Sequence, residues 1–310
     1  MKNLKFLLSI FIIPIVLFVH SSVATAEGFD NDLDEKITYE TEIDYMPSGN
    51  TPIERAEDMA EYMRRFTGNL DISFEGFITD DKTHPISKTP TIVLGEDNRI
   101  KADPTISPYK QCGYLETHFL DGSSLYMKQG TGALIDRDRF VTAGSMVYAQ
   151  EDFKGWPIIS TIWIASQDGR GTLTDDPYSG MNAGISFTSM NGWINSADPR
   201  YDMGYITMNT PSEHLAGRLN YAVPTEGAVL SHVVSYTGNL MQQIMWGNQT
   251  FAINTPELIF HDVTVSQGSI GAPIIQNSSI VGITTTLDKQ GPMSQALAIR
   301  PELYSFFSSN

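Results

Sequence analysis

The sequence predicts an all-β protein made of two barrels behind an acidic amino-terminal extension. Beyond Lys88, short β-rich runs alternate with turn residues, the texture of a sandwich or of barrels. The span from Val93 to Asn310 has 218 residues, too many for one small barrel and suited to two of about 100 each. The charge is uneven: residues 27–92 hold sixteen Asp and Glu against six Lys and Arg, more than half of the net −16, which marks them as a separate piece.

The chain opens with Lys2 and Lys5, an apolar run from Phe6 to Val19 and the small-residue stretch Ala24-Thr25-Ala26. Residues 1–26 therefore read as a secretory signal peptide, and the expected location is extracellular. No later segment has the roughly 18 to 20 uninterrupted apolar residues of a membrane helix, so no membrane is expected as a partner. Nucleic acid is excluded as well, because a chain this acidic repels phosphate backbones. Cys112 is the one cysteine; without a disulfide, stability must come from a core, and Cys112 reads as a small buried hydrophobe. No cofactor and no metal ion are expected.

Residues 27–50 are acidic and polar, with too little apolar surface to offset chain entropy, and are expected to be a mobile linker. A helix is predicted over 51–67. Thr51 is its N-cap, Pro52 its first residue and Glu54 the third member of a capping box, while Gly68 ends it. Ile53, Ala56, Met59, Ala60, Met63 and Phe66 form its apolar stripe, expected to dock on the main domain.

Strands are expected at Gly132–Ile135 and Phe140–Val141 around the turn 136–139, then at Ile158–Ala165, Met203–Met208 and Val233–Tyr236. Leu258–Phe260 follows, and Pro273–Ile275 and Ile280–Thr284 form a hairpin across 276–279. After Pro301 the chain turns helical, with Leu303, Phe306 and Phe307 as its apolar face.

Gly130-Thr131-Gly132-Ala133-Leu134-Ile135 followed by Phe140-Val141-Thr142-Ala143-Gly144 resembles the segment that leads into the catalytic histidine of trypsin-fold serine proteases. Tyr201-Asp202-Met203-Gly204 resembles the strand that delivers the triad aspartate. The run from Phe260 to Pro273, ending Gln267-Gly268-Ser269-Ile270-Gly271-Ala272-Pro273, resembles the nucleophile loop. Val93-Leu94-Gly95-Glu96-Asp97-Asn98-Arg99 is similar to the mature amino terminus of secreted bacterial glutamyl endopeptidases, and the similarity continues to the carboxyl end. The resemblance implies two antiparallel six-stranded barrels over 93–310, a short carboxyl-terminal helix, and a propeptide-like extension over 27–92.

It also implies a damaged triad. The family's histidine position holds Ser145 and its serine position holds Ile270, while the aspartate is kept as Asp202. Serine proteolysis needs a hydroxyl nucleophile, an imidazole base, an orienting carboxylate and amides for the oxyanion. A serine hydroxyl is no base near neutral pH, and isoleucine has no heteroatom. Moving the nucleophile to the adjacent Ser269 would redirect its Cβ and displace the amides. None of His84, His118, His214, His232 and His261 falls on the base position. Gly268 and Gly271 are expected to hold what remains of the oxyanion loop, an anion-accepting nest without a nucleophile. Glutamate specificity is expected to be lost, since the family's Gly-Ile-His becomes Gly282-Ile283-Thr284.

The sequence thus predicts a secreted protease-fold protein with a binding or regulatory role, its partner a polypeptide or a protease-inhibitor-like ligand. Two other readings stand beside it: an unusual serine endopeptidase of low activity, and an interaction module that works through the 51–67 helix.

Overall fold

The computed structural model describes residues 33–49, 51–78, 86–87, 99–150, 154–164, 180–211, 217–239, 242–285, 289–290 and 293–308. The signal-peptide assignment, the Val93–Asn98 segment, His84 and His214 lie outside the described residues. Among the described residues no helix is long and apolar enough to cross a membrane.

The extension contributes strand β1 (Lys36–Glu40), helix α1 (Pro52–Thr67) and strands β2 (Ser73–Ile78) and β3 (Ile86–Ser87). Strand β4 (Ile100–Lys101) follows. The first barrel holds β5 (Cys112–Asp121), β6 (Ser124–Leu134), β7 (Arg139–Thr142), helix α2 (Gly144–Val147), β8 (Ile159–Ile164), β9 (Gly180–Met190), helix α3 (Asn191–Ser196) and β10 (Gly204–Met208). The second holds β11 (Asn220–Tyr221), β12 (Gly227–Asn239), β13 (Gln242–Asn254), β14 (Leu258–His261), β15 (Pro273–Gln276), β16 (Ser279–Ile283), β17 (Lys289–Gln290) and β18 (Met293–Ala298). Helix α4 (Pro301–Phe307) ends the described chain.

Both barrels close, as the sequence predicted. In the first, the antiparallel order β6-β5-β8-β9-β10-β7 returns to β6 through Ala133↔Val141 and Leu134↔Phe140. A β-carbon on Gly132 would collide with the Val141 carbonyl and the Phe140 ring, so only glycine lets the closing strands meet. In the second, β16-β15-β12-β13-β14-β18 closes through Gly282↔Ala298 and Ile283↔Leu297. One apolar cluster joins them, running from Phe140, Ile162 and Phe187 through Tyr236 and Ile270 to Leu303, Phe306 and Phe307 of α4. Cys112 is fully buried in it, and burial pushes its thiol pKa up, as a small hydrophobe's place requires.

The linker expectation is overturned for the described part of residues 27–50. Lys36 to Glu40 pair antiparallel with Met190 to Ser186 of β9, and Ile43 is buried. A short acidic segment needs little apolar surface of its own when a neighbouring sheet supplies its hydrogen bonds. β2 does the same on the other side of the barrel, pairing parallel with β6 from Ser73↔Ser124 to Phe77↔Met127.

Helix α1 has the predicted ends. Thr51 accepts the Glu54 amide, the Glu54 side chain accepts the Thr51 amide, and Gly68 closes the helix at φ 72°. Met59, Ala60 and Met63 pack with Leu125, Ile159 and Ala183 on the outer face of the first barrel, and Ala56 packs with Phe77 and Met127. Ile53 is half-buried against that second group. Phe66 departs from the predicted stripe. It is 47 % exposed and stacks on Tyr62 at 5.7 Å.

A charged residue does most to fix the helix. Arg55, 1 % exposed, donates through Nε to Glu116 Oε2 at 2.7 Å and through Nη2 to Glu116 Oε1 at 2.5 Å. Its Nη1 reaches the Gly49 carbonyl at 3.0 Å, and its guanidinium lies 4.7 Å over the Trp163 ring. Glu116 also accepts the Tyr114 hydroxyl at 2.6 Å, and Gln129 donates to that hydroxyl at 2.9 Å. The network ties the extension to β5, β6 and β8.

Candidate active site

The three segments singled out by the sequence converge where the barrels meet. β7, held between β6 and β10, delivers the chain into α2, so Gly144 and Ser145 sit at the barrel's rim. A 3-10 turn over Pro199–Tyr201 places Asp202 at the start of β10 beside them. Asp202 is 3 % exposed, and its Oδ1 accepts the Ser145 amide at 2.5 Å. A β-carbon on Gly144 would stand 3.0 Å from that same oxygen and 2.9 Å from Ser189 Oγ, which itself donates to the Met203 carbonyl. Close approach of the carboxylate therefore requires glycine before Ser145.

The side chain of Ser145 does not use the carboxylate. Its buried hydroxyl makes no hydrogen bond among the described residues, and its carbonyl accepts Lys128 Nζ at 3.0 Å. The backbone, rather than the hydroxyl, partners Asp202.

The loop after β14 is tightly built. Ser269 donates its amide to the Ser266 carbonyl at 2.9 Å, while its hydroxyl accepts the Ser266 amide at 3.0 Å. Ser269 is wholly buried, so its hydroxyl is committed to the loop's own turn and does not face a substrate. Gly268 and Gly271 adopt φ of 89° and 84°. At Gly271 a β-carbon would collide with Thr142 Oγ1 and the Thr131 carbonyl, which makes glycine obligatory there.

Thr131 staples this loop to the first barrel. It donates its amide to the Ile270 carbonyl at 2.7 Å and its hydroxyl to the Gly268 carbonyl at 2.7 Å, and that hydroxyl accepts the Tyr236 amide. The amides of Gly268 and Ile270 donate to no acceptor among the described residues.

Ile270 is 2 % exposed and belongs to the central apolar cluster together with Met146, which is 1 % exposed. Both crowd Gly130: a β-carbon there would stand 2.8 Å from the Met146 sulfur and 2.9 Å from the Ile270 carbonyl oxygen. The residues that the resemblance sets at the base and nucleophile positions thus lie in one neighbourhood beside Gly130, and Ile270 and Met146 are both buried in the central apolar cluster there. Met146 was not singled out from sequence; its position directly after Ser145 was the available signal.

Thr284, where the resemblance puts the specificity histidine, is fully buried, and its hydroxyl has no hydrogen-bond partner among the described residues. The described histidines lie on three other elements. His232 of β12 contacts Tyr109 and Gln249, His261 is buried on β14, and His118 is buried on β5.

His118 gives the fold a pH dependence. Burial pulls its pKa down to about 4, opposed by the nearby Glu116 carboxylate and reinforced by Arg55. Its folded pKa lies below its unfolded value of 6.5, so between these values the unfolded chain binds the extra proton. The contribution is present above pH 6.5 and lost as pH falls toward 4, by about 3 kcal/mol in all. Urea unfolding from pH 8 to 4.5 is expected to show this acid limb, and His118→Gln to flatten it. An unchanged slope in the variant assigns the limb to other groups.

No family model matches the chain. An extracellular metalloprotease of Bacillus subtilis (strain 168) is 30 % identical over 224 residues, covering 70 % of this chain and 68 % of that protein. A Glu endopeptidase structure in complex with MPD superposes with a TM-score of 0.58 at 19 % identity, over 69 % of this chain and 97 % of that one. Human heparin binding protein superposes with a TM-score of 0.51 at 13 % identity, over 68 % and 94 %. Among the described residues no group of three His, Cys, Asp or Glu side chains is placed to hold a metal ion, so the donor set implied by the bacterial relative's name is not found there. Two closed six-stranded barrels, the Asp202 corner, the glycine-hinged loop and an extracellular protease as relative together assign the chain to the trypsin-fold serine protease family that includes the glutamyl endopeptidases.

Proposed function

We propose that this is a secreted pseudoprotease, a protease-fold protein that binds polypeptide without cutting it. The observation that carries the reading is that the positions which the resemblance sets for nucleophile and base hold a buried Ile270 and a Ser145 whose hydroxyl makes no hydrogen bond among the described residues, with buried Met146 close by. Peptide-bond cleavage needs a hydroxyl within hydrogen-bond reach of an imidazole. Here the neighbouring hydroxyl of Ser269 is turned into its own loop, and Asp202 holds a backbone amide. The extracellular relative and the amino-terminal sequence support secretion. The ligand class that fits is a polypeptide or a protease-inhibitor-like protein, and the role is regulatory, as a decoy for the partner of an active relative. One structural neighbour is itself named for binding rather than cleavage, although the net charge of −16 here makes a polyanion an unsuitable ligand.

A second reading, a low-activity serine endopeptidase, has one observation in its favour: the amides of Gly268 and Ile270 find no acceptor among the described residues and sit beside positive-φ glycines, as an oxyanion site needs. A fluorophosphonate separates the two. The purified full-length protein is expected to remain unlabelled from pH 5 to 9, a range that brackets imidazole and hydroxyl activation. Stoichiometric labelling mapped to Ser269 or Ser145 would establish the endopeptidase instead.

A further inference from the structure

One imidazole is shut beneath helix α1, in the seam between the extension and the first barrel. His118 of β5 stands directly across from Met127 of β6 and Ile159 of β8, so the three side chains share the barrel's outer face. Met127 packs with Ala56 of α1 and Phe77 of β2, and Ile159 packs with Met59 of α1. His118 is wholly buried there, and neither ring nitrogen has a hydrogen-bond partner among the described residues. Buried polar groups are ordinarily paired, and a buried charge without a partner is far more costly than a neutral ring. The seam therefore tolerates the imidazole only while it is uncharged.

The charged groups that face it do not lift that restriction. Glu116, two residues along the same strand, favours a proton on His118, but its carboxylate already accepts Arg55 twice and the Tyr114 hydroxyl once. Arg55 comes down from α1 with a positive charge and opposes the proton. Of the acids on α1, Glu54 and Glu57 are exposed, Asp58 accepts the Tyr45 hydroxyl and the Ser48 amide, and Glu61 accepts Arg64 and Arg65. Glu75 of β2 accepts the Ser73 hydroxyl at the surface. Lys128 of β6 alternates to the opposite face and donates to the Ser145 carbonyl, and β8 has no titratable residue.

We infer that α1 is an acid-operated latch: a proton taken up by His118 lifts the helix from the first barrel and uncovers the apolar face beneath it. The imidazole cannot reach water through the sheet it stands on, because β5 is hydrogen-bonded to β6 on one side and to β8 on the other. No such ladder holds α1; apolar packing and the Arg55 guanidinium fasten it to the barrel. Moving the helix is thus the least costly way to hydrate the ring. β1 and β2, which flank α1 in the chain and pair with β9 and β6, keep the lifted helix tethered, so the motion reverses when the proton leaves. Lifting exposes Leu125, Met127 and Ile159 around the Glu116 carboxylate, a surface that is closed at neutral pH.

The test is hydrogen exchange of the full-length protein, read at each pH as protection relative to the unfolded chain. The ring's pKa is about 4 when buried and 6.5 when hydrated, so opening takes up a proton and is favoured as pH falls. From pH 7.5 to pH 5 the protection of residues 52–67 is expected to fall roughly thirtyfold, by linkage between those two values. Residues 248–254 of β13, in the other barrel, are expected to change by less than about threefold. Return to pH 7.5 is expected to restore α1. His118→Gln, and His118→Leu as an apolar replacement, are expected to hold the protection of α1 at pH 5 where it stands at pH 7.5. The inference is overturned if α1 keeps its protection at pH 5 in the wild type, if 248–254 lose theirs in step with it, if the loss does not reverse, or if either folded variant loses it as the wild type does. Where a variant does not fold, the wild-type comparison of α1 with β13 decides.

Discussion

Arg55→Met is expected to lower stability by about 3–5 kcal/mol and to release the extension from the first barrel. It removes the only guanidinium paired with Glu116 among the described residues, and Glu116 is fully buried under α1. For a chain of this size the loss corresponds to a fall in melting temperature of roughly 10 °C. The pair itself is not the source of the stability. Two ions taken out of water lose most of what their attraction returns, so Arg55→Met with Glu116→Met is expected to recover most of the loss. The Tyr114 hydroxyl, which donates to Glu116, keeps Gln129 as its partner in the double variant. Urea midpoints of the wild type, the two single variants and the double variant close this cycle. A deficit below about 1 kcal/mol in Arg55→Met, the range of a solvent-exposed pair, shows that the extension does not stay docked in solution.

The same cycle bears on what the extension is. The resemblance implies that residues 27–92 are propeptide-like, a segment made to be discarded. Yet β1 and β2 add strands to β9 and β6, and α1 covers Leu125, Met127, Ile159 and Trp163 on the barrel's outer face. A barrel stripped of it exposes a contiguous apolar surface with a carboxylate at its centre, an arrangement prone to aggregation.

How far the sequence carried depended on how local each signal was. The Thr51-Pro52-Glu54 start and the Gly68 stop of α1 are encoded within one turn, and they were legible. So were the closing strands around the turn 136–139, whose β-rich runs flank a run of charged residues. β1 was missed although Ile37 and Tyr39 alternate with Lys36, Thr38 and Glu40, because two apolar residues in an acidic stretch are a weak signal and the strand's hydrogen bonds come from a partner some 150 residues later. Arg55 and Glu116 were missed for the same reason: on a helix and in a strand each reads as a solvent-facing charge, and only the fold brings them together across 61 positions. At the site, flanking motifs located Ser145, Asp202 and Ile270. Sequence could not tell that Ser269 faces inward or that Met146 packs against Gly130, since both depend on side-chain direction at a packed interface.

The second large effect is a gain of function. Ser145→His together with Ile270→Ser is expected to restore fluorophosphonate labelling at residue 270, while either change alone does nothing. The carboxylate is in place: Asp202 already holds the amide of residue 145 through Oδ1, so a histidine built on that backbone starts beside the second oxygen. The loop is in place as well, hinged by Gly268 and Gly271 and stapled through Thr131, with two amides that find no acceptor among the described residues. Nucleophile and base act as a unit, so one restored member leaves only the rate that the amides and binding provide. Replacing buried Ile270 by serine costs about 2–4 kcal/mol, so folding of the double variant must be confirmed by its unfolding curve before its reactivity is read. Labelling is a better readout than hydrolysis of a glutamyl substrate, because buried Thr284 stands where the family's specificity histidine does, and a working triad would still lack its matched pocket. Met146 decides the remaining case. A folded double variant that stays unlabelled, but becomes labelled when Met146→Ala is added, places the block in the side chain packed against Gly130. A folded triple variant that is still unlabelled means that the loop no longer presents residue 270 to an incoming phosphorus, and that this cleft has been rebuilt for binding alone.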